Sequence, residues 1–405
     1  MTNYNISYIK DCFGCGVCAV ACGKRIISIR LNDTGFYEPY ILVPDQCTNC
    51  GLCLSVCSFH NEGISIQSKP LKSFAAWSTE AAVRRKCSSG GVGFELGRVL
   101  LDNGYKVCGV RYNSDKNIAE HYIATTVEEL IQSIGSKYIQ SYTKDGFCAI
   151  NRKEKYLVTG TPCQIDSFRR YVRKFKVEDN FVLMDFFCHS VASMLAWKKY
   201  IALAEQQVGK VTYVSWRNKT TGWHDSWVMG IDGEDKSGDK VDWQDSYNIL
   251  IREKKTYLNF RLSQGDIFYS LFLGDYCCSS ACSKQCKYKY DASAADIRIG
   301  DLWGAAYKND EKGVSALVCF TPKGLAIAEK LKRFCQLTQH SFDVVAQGQM
   351  KQNAGKAFMT PVVQCMLKSS LLWSTRMWRL VFIVERILRL PQRVWRRLKR
   401  ILIRK

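Results

Sequence analysis

Eight cysteines near the start of the chain set its chemistry. Cys12, Cys15, Cys18 and Cys22 follow a C-x2-C-x2-C-x3-C spacing, and Cys47, Cys50, Cys53 and Cys57 repeat it 35 residues later. Four thiolates so spaced suit an iron–sulfur cubane: three wrap its corners from one tight loop, and the fourth reaches across. Gly14, Gly16 and Gly51 fall between the ligands, where the loop needs positive φ and close backbone approach. Zinc sites draw on two separated pairs of ligands rather than two even runs of four. Disulfides need an oxidising compartment, and the opening residues MTNYNISYIKDC hold no apolar core of signal-peptide length. The expectation is two [4Fe-4S] clusters in a reducing, cytoplasmic setting, and a chain that carries electrons.

The elements that position these thiols come next. In two-cluster ferredoxins of this spacing, the fourth cysteine of each run binds the other cluster. That pairs Cys12, Cys15 and Cys18 with Cys57, and Cys47, Cys50 and Cys53 with Cys22. Gly23 and Ser58 stand where a proline usually follows the fourth ligand. Residues 1–66 are thus a ferredoxin-like two-cluster module, with small strands expected within 26–43 and a polar linker over 67–73. From residue 74 short apolar runs alternate with amphipathic ones. Strands are expected at 107–112, 156–159, 181–187, 211–216, 297–300 and 316–320, and helices at 92–103, 127–133, 164–174, 193–207 and 323–335. Gly104 is the expected stop of the first helix. The fold class is α+β or α/β: the two-cluster module, then a mixed α/β domain with helices on a sheet. No G-x-G-x-x-G stands at a strand–helix junction, so a Rossmann dinucleotide site has no support.

Several stretches of the larger domain bear chemistry. Cys87-Ser88-Ser89-Gly90-Gly91 opens a helical pattern and leaves N–H groups at a positive helix end, as a phosphate seat or as a plain N-cap. Gly135-Ser136-Lys137-Tyr138 is a polar turn with a cation and an aromatic, suited to phosphate or flavin contact or simply to the surface. Gly160-Thr161-Pro162-Cys163-Gln164 lies between a strand and a helix, where α/β folds place ligands. Cys163 there is a buried filler or a ligand. Cys188-His189-Ser190 ends another strand. Cys277, Cys278, Cys282 and Cys286 crowd into ten residues. Cysteines that dense point to metal, and Cys163 and Cys188, at the ends of neighbouring strands, would complete a third cluster; inert thiols are the alternative.

In their order SSGG, GSKY, GTPCQ, DFFCHS (185–190), WRNKTTGW (216–223) and ADIRIGDLWG (295–304), these pieces resemble the coenzyme F420 hydrogenase/dehydrogenase beta-subunit family. A ferredoxin module ahead of them is also that family's usual arrangement. The resemblance implies a flavin-binding oxidoreductase domain over 74–360, with FAD held by Ser88, Ser89, Gly90, Gly91, Gly135, Ser136, Lys137, Tyr138, Gly160, Thr161, Pro162 and Gln164. It implies a third [4Fe-4S] cluster on Cys163, Cys188, Cys282 and Cys286, although C-x3-C replaces the family's common C-x2-C and Cys277 and Cys278 are extra. Lys137, His189 and Asp301 are the catalytic candidates, with His224 beside them, because histidine is the usual proton carrier near neutral pH. The electron donor is expected to be a redox protein such as ferredoxin, or a deazaflavin coenzyme. A large bacterial branch of the family is associated with polysaccharide biosynthesis.

The net charge of +21 is uneven. From Arg376 to Lys405 there are eleven basic residues and one glutamate, so nearly half the excess sits in the last thirty residues. Within 371–405 apolar residues recur near a helical period with arginines between them, the pattern of a basic amphipathic helix on an anionic membrane surface. No apolar run approaches the length needed to span, and the tryptophans and branched aliphatics argue against nucleic acid. The expected function is an iron–sulfur flavoprotein oxidoreductase, peripheral at the inner membrane face, passing electrons through FAD to a reducible substrate. The alternatives are a relay subunit feeding a separate catalytic partner, or a non-enzymatic iron–sulfur redox sensor. The sequence does not set the oligomeric state.

Overall fold

A computed structural model of the chain describes residues 5–66, 69–217, 219, 222–224, 229–234 and 266–391. Between the two cysteine runs lie strands β1 (Ile27–Leu31) and β2 (Tyr37–Ile41), paired antiparallel with Ile27 opposite Ile41. Asn32 closes their hairpin, its side-chain oxygen accepting from the N–H groups of Thr34 and Phe36. These are the small strands that the sequence places within 26–43.

The rest of the chain builds on β3 (Lys72–Ser78), β4 (Lys106–Asn113), β5 (Ile118–Ala124), β6 (Ser141–Tyr142), β7 (Tyr156–Thr159), β8 (Phe181–Phe186), β11 (Ile297–Asp301), β12 (Ser315–Cys319) and β13 (Cys335–His340). A separate hairpin pairs β9 (Val211–Ser215) with β10 (Gly230–Gly233). The large sheet is mixed, nine-stranded and ordered β13-β3-β12-β11-β8-β7-β4-β5-β6. Its centre, β4, β7, β8 and β11, is parallel. Buried strands of this kind read as continuous apolar runs, as YLVT and FVLMDF do. β3 is antiparallel to β12, which is antiparallel to β11, so β3 runs with the centre. Ser78, Thr159, Phe186 and Asp301 therefore end at one edge of the sheet, where open α/β sheets hold ligands.

Helices Val92–Asp102 and Pro322–Leu331 cover one face through Leu96, Val99, Leu100, Ile327 and Leu331. Helix Pro162–Lys174 covers the other through Ile165, Phe168 and Val172. Its start is written in the sequence: Thr161 and Gln164 form a capping box around Pro162, and Arg173 and Lys174 meet the carbonyl end. Cys15, Val17, Ala21 and Val56 join that same core, which packs the cysteine-rich segment directly onto the helix. A further core gathers helices Met194–Val208, Ile267–Leu273, Thr360–Lys368 and Thr375–Leu388 around Trp197, Trp216, Phe268 and Trp378.

Most expected elements appear within two residues of their expected bounds, and Gly104 takes φ +76° just past its helix. The helix expected over 323–335 is different: it stops at Leu331, and Cys335–His340 is the edge strand β13 paired with β3. Phe334, Cys335 and Leu337 suit either period, and the open backbone groups of β3 decide. Lys72 and Ser73, read as linker, already belong to β3. β5 has no counterpart among the expected strands, because Glu120 and His121 interrupt its apolar pattern. Both are nonetheless buried, Glu120 bonded to Arg111 and His121 to the Thr159 carbonyl.

Candidate functional site

All twenty cysteines are free thiols. The sequence repeat becomes a structural repeat. Gly16 (φ +75°) and Gly51 (φ +71°) are the left-handed caps of the short helices Val17–Ala21 and Leu52–Ser55, each carrying the third cysteine of its run. Cys12, Cys15, Cys18 and Cys57 line one cavity with Ile6, Ile9, Phe13 and Phe59, of about 350 Å³ including its open mouth. These are the four cysteines that the crossed pairing groups together. Burial pushes the Cys15 thiol up to about 12 and Cys18 well above the thiol range, with neighbouring thiols adding to the rise. Such groups ionise readily only when a metal takes the sulfur. A convergent all-thiol donor set in an apolar cavity fits an iron–sulfur cluster. Cys22 and Cys47 pack at the margin of the same apolar cluster as Cys53, and Cys50 is exposed.

The second set of thiols meets at the sheet edge. Cys163 follows β7 and Cys188 follows β8, its parallel neighbour. Cys282 lies in helix Ser280–Lys284 and Cys286 just beyond it. Burial, then the neighbouring Cys282, drives the Cys163 thiol well up, with Cys188 and Cys15 also contributing. Burial likewise pushes Cys188 up to about 12 against the pull of Lys289, and Cys282 and Cys286 add to it. The four predicted ligands of a third cluster are thus electrostatic neighbours.

The two thiol sites share a wall. Ser167 Oγ accepts from the Cys15 thiol (3.2 Å) and the Ser58 N–H (3.0 Å), while Ser58 Oγ donates to the Cys163 carbonyl (3.0 Å). Lys287, next to Cys286, donates to the carbonyls of Ser58, Asn61, Glu62 and Gly63. Phe13, Phe59 and Tyr288 fill the gap edge to face.

The predicted flavin residues divide into two places. SSGG and GSKY are joined, Ser88 Oγ accepting from the Ser136 N–H at 2.8 Å. Ser89 Oγ donates to the Val314 carbonyl and the Gly90 N–H to Ser315 Oγ, tying this turn to β12. Gly91 (φ +89°) caps helix Val92–Asp102, and Gly135 takes φ +84°. GTPCQ faces elsewhere. The Gly160 N–H bonds to Met184, Thr161 and Gln164 cap Pro162–Lys174, and Gln164 donates to Ser141 Oγ. Its Thr161 hydroxyl lies 3.2 Å from Cys163 Sγ, on the cluster side.

Lys137 leaves part of its stem exposed, but its ammonium is desolvated and donates to the carbonyls of Gln132, Ser133 and Ile134. That burial pulls its pKa down to about 7, with Cys87 opposing. Lys219 donates to the carbonyls of Arg84, Ser89 and Lys312, and burial pulls it down to about 8. Arg217, fully buried, donates to Asp301 (3.0 Å) and reaches the Tyr138 hydroxyl (3.5 Å), with its guanidinium over the Trp303 ring. Asp301 also accepts from Trp223, which stacks on Trp303 at 5.1 Å. His224 abuts Trp223 and pairs with Glu311. His189 turns to Asp275 at 2.9 Å and packs on Phe272. The candidates Lys137, His189 and Asp301 therefore do not share one point: each is engaged with its own partners, around Tyr138. Arg217 and Lys219 escaped sequence reasoning, although both lie within the quoted WRNKTTGW stretch. Residues 218, 220 and 221 of that stretch lie outside the described residues. The start of helix Val92–Asp102 and the open Gly135 turn suit the diphosphate of a dinucleotide, while the two ammonium groups spend their three N–H donors each on the carbonyls that shape this corner.

Helix Thr375–Leu388 turns Trp378, Val381, Phe382 and Glu385 inward, and Glu385 accepts from the N–H groups of Phe358 and Met359. Leu380, Ile383 and Ile387 remain exposed on its other side. The tail beyond Pro391 lies outside the described residues, and no helix among the described residues is long and apolar enough to cross a membrane.

Three family models match the chain. Residues 11–61 match the 4Fe-4S dicluster domain. Residues 73–144 match the N-terminal part, and residues 153–343 the C-terminal part, of the coenzyme F420 hydrogenase/dehydrogenase beta subunit. No curated protein matches. Among solved structures, a chain of the F420-reducing [NiFe] hydrogenase complex from Methanosarcina barkeri is similar at 17% identity and a TM-score of 0.41, over 67% of this chain and 82% of that one. The two parts of the beta subunit together span well over half of the sequence. The chain belongs to the coenzyme F420 hydrogenase/dehydrogenase beta-subunit family, with a 4Fe-4S dicluster domain ahead of it.

Proposed function

We propose that this protein is an iron–sulfur flavoprotein oxidoreductase. The N-terminal cysteine runs would hold two clusters and Cys163, Cys188, Cys282 and Cys286 a third, a one-electron path between a donor such as ferredoxin and FAD, whereas a deazaflavin coenzyme, a hydride donor, would exchange with the flavin itself. The observation that carries this reading is the shared wall: Ser167 and Ser58 join Cys15 to Cys163, and Lys287 ties Cys286 to the end of the second cysteine run. Flavin, when bound, exchanges one or two electrons and so links one-electron clusters to two-electron chemistry. The chain's own residues supply the rest. Ser88–Gly91 and Gly135–Tyr138 bring their backbone close to the diphosphate, Lys137 and Lys219 brace those turns through their carbonyls, and Asp301 orients Arg217 towards Tyr138. Asp301 and Lys137 are the groups proposed to act on the substrate.

The substrate is proposed to be a reducible intermediate of polysaccharide biosynthesis, met at the inner membrane face. Exposed Leu380, Ile383 and Ile387, followed by an arginine-rich segment, support attachment to anionic lipid, where each basic residue near the surface contributes about 1 kcal/mol. Purification without oxygen, with iron and flavin counted, tests the assignment. About twelve irons and one FAD per chain are expected, falling to about eight irons in Cys163→Ser. Eight irons and no flavin in the unaltered chain would sink the reading. Turnover only when a second protein is added would favour a relay subunit.

A further inference from the structure

We propose that His189, Asp275 and Cys278 form a mononuclear site for a divalent transition-metal ion of the zinc type, separate from the cluster thiols. One donor atom from each lies within 4.8 Å of the other two, and all three side chains are half-buried. His189 Nε2 is 2.9 Å, and Cys278 Sγ 3.7 Å, from the same carboxylate oxygen, Asp275 Oδ1. In a tetrahedral zinc site with bonds of about 2.0–2.3 Å, neighbouring donors stand about 3.3–3.7 Å apart; the Cys278–Asp275 edge matches, the His189–Asp275 edge opens slightly, and the His189–Cys278 edge, within 4.8 Å, closes on binding.

The backbone pins this triangle. A β-bridge joins Ala192 to Cys278, Ser193 N–H bonds to the Cys277 carbonyl (2.9 Å), and Ser279 N–H to the Val191 carbonyl (3.2 Å). Asp275 Oδ2 accepts from the Gly355 N–H at 2.9 Å, the outer-shell hold that orients a ligating carboxylate. The Phe272 ring fixes the imidazole edge, and Lys289 holds the carbonyls of Cys188 and His189. One imidazole, one carboxylate and one thiolate make a borderline donor set that suits zinc over magnesium or calcium. With three protein ligands, a fourth position stays for water.

Cys277 and Cys278 are the two of the crowded run left over once Cys282 and Cys286 are given to a cluster; Cys277 is buried, whereas Cys278 Sγ lies 3.7 Å from Asp275 Oδ1 and 3.5 Å from the Phe272 carbonyl, with Ser190 and Cys282 also near. On binding, the Cys278 thiol yields its proton to solvent and forms the sulfur–metal bond, while the carboxylate and the imidazole bind through lone pairs. The ion would staple the segment after β8, which bears Cys188, to the segment that bears Cys282.

The test uses the full chain, reconstituted without oxygen with iron and sulfide, washed with chelator and titrated with Zn2+. The expected result is about one zinc and about one released proton per chain, and a zinc-edge X-ray absorption spectrum with a single sulfur among nitrogen and oxygen ligands. His189→Ala, Asp275→Ala and Cys278→Ser should each weaken zinc binding more than about 100-fold with the iron count unchanged. No retained zinc, or a shell of three or four sulfurs, overturns the proposal. So does a Cys278→Ser variant that loses iron instead of zinc. A chain lacking flavin or the third cluster is recognised separately, by its flavin and iron counts.

Discussion

Replacing Arg298 with methionine should loosen the sheet edge that carries Cys188 and Cys286. Arg298 on β11 stands opposite Asp185 on β8 in the parallel pairing, and both side chains are fully buried. Nε and Nη2 each donate to Asp185 at 2.7 Å, and the remaining donors reach the carbonyls of Tyr290 and Ala292. Ser293 adds one hydroxyl to Asp185. One guanidinium therefore fastens two strands and the loop that follows Cys286. Without it a buried carboxylate keeps a single partner, which costs about 3–5 kcal/mol, against a typical total stability of about 5–15 kcal/mol. At about 2–4 °C per kcal/mol for a domain of this size, the melting midpoint falls by roughly 6–20 °C. Iron from the third site, about four of about twelve, should be lost first. Circular-dichroism melts without oxygen, with iron counts, measure both effects. The double variant Asp185→Leu/Arg298→Met removes both charges and should recover most of the loss. A single variant that melts within about 2 °C of the parent, or a double variant no better than the single, would refute the reasoning.

Ser167→Ala removes a hydroxyl poised on Cys15 Sγ, so the cluster held by Cys15 should shift to more negative potential while the other two stay put; redox titration by electron paramagnetic resonance reads this, and equal shifts in all three clusters contradict it. Lys137 has a folded pKa of about 7, below its unfolded value of about 10.4, so over that window this group binds more protons in the unfolded chain and its own contribution makes stability rise with pH. Lys137→Met should remove that contribution in urea titrations of the flavin-free chain, leaving the one from Lys219, and weaken FAD binding by about 10- to 150-fold, as a charged hydrogen bond that holds the turn before Gly135 is lost. Truncation after Pro391 should release the protein from anionic vesicles with an unchanged melt, whereas Trp378→Ala, which opens the socket of the docked helix, should cost about 3–5 kcal/mol. Vesicle binding that survives the truncation would remove the support for a membrane role of the tail.

The cysteine runs were legible because cluster ligation is local: three thiols and the glycines between them form one loop, and its spacing survives in the sequence. Caps were legible for the same reason, as at Thr161 and Gly104. The central strands stood out because burial on both faces leaves an unbroken apolar run. β5 and β13 did not, since Glu120 and His121 are satisfied by partners from other strands and Cys335–His340 becomes a strand only beside the open edge of β3. The tail's apolar period was plain, but which side turns inward depends on the socket around Trp378, built from helices far apart in sequence. The candidate site divides in the same way. Sequence alone determined which residue types were present for iron, phosphate and proton chemistry. Only the tertiary structure decided that SSGG meets GSKY, that Arg217 and Lys219 join them, and that His189 faces Asp275, 86 residues away. Contacts of that kind are fixed by strand order and burial, and neither is a property of any short stretch of chain.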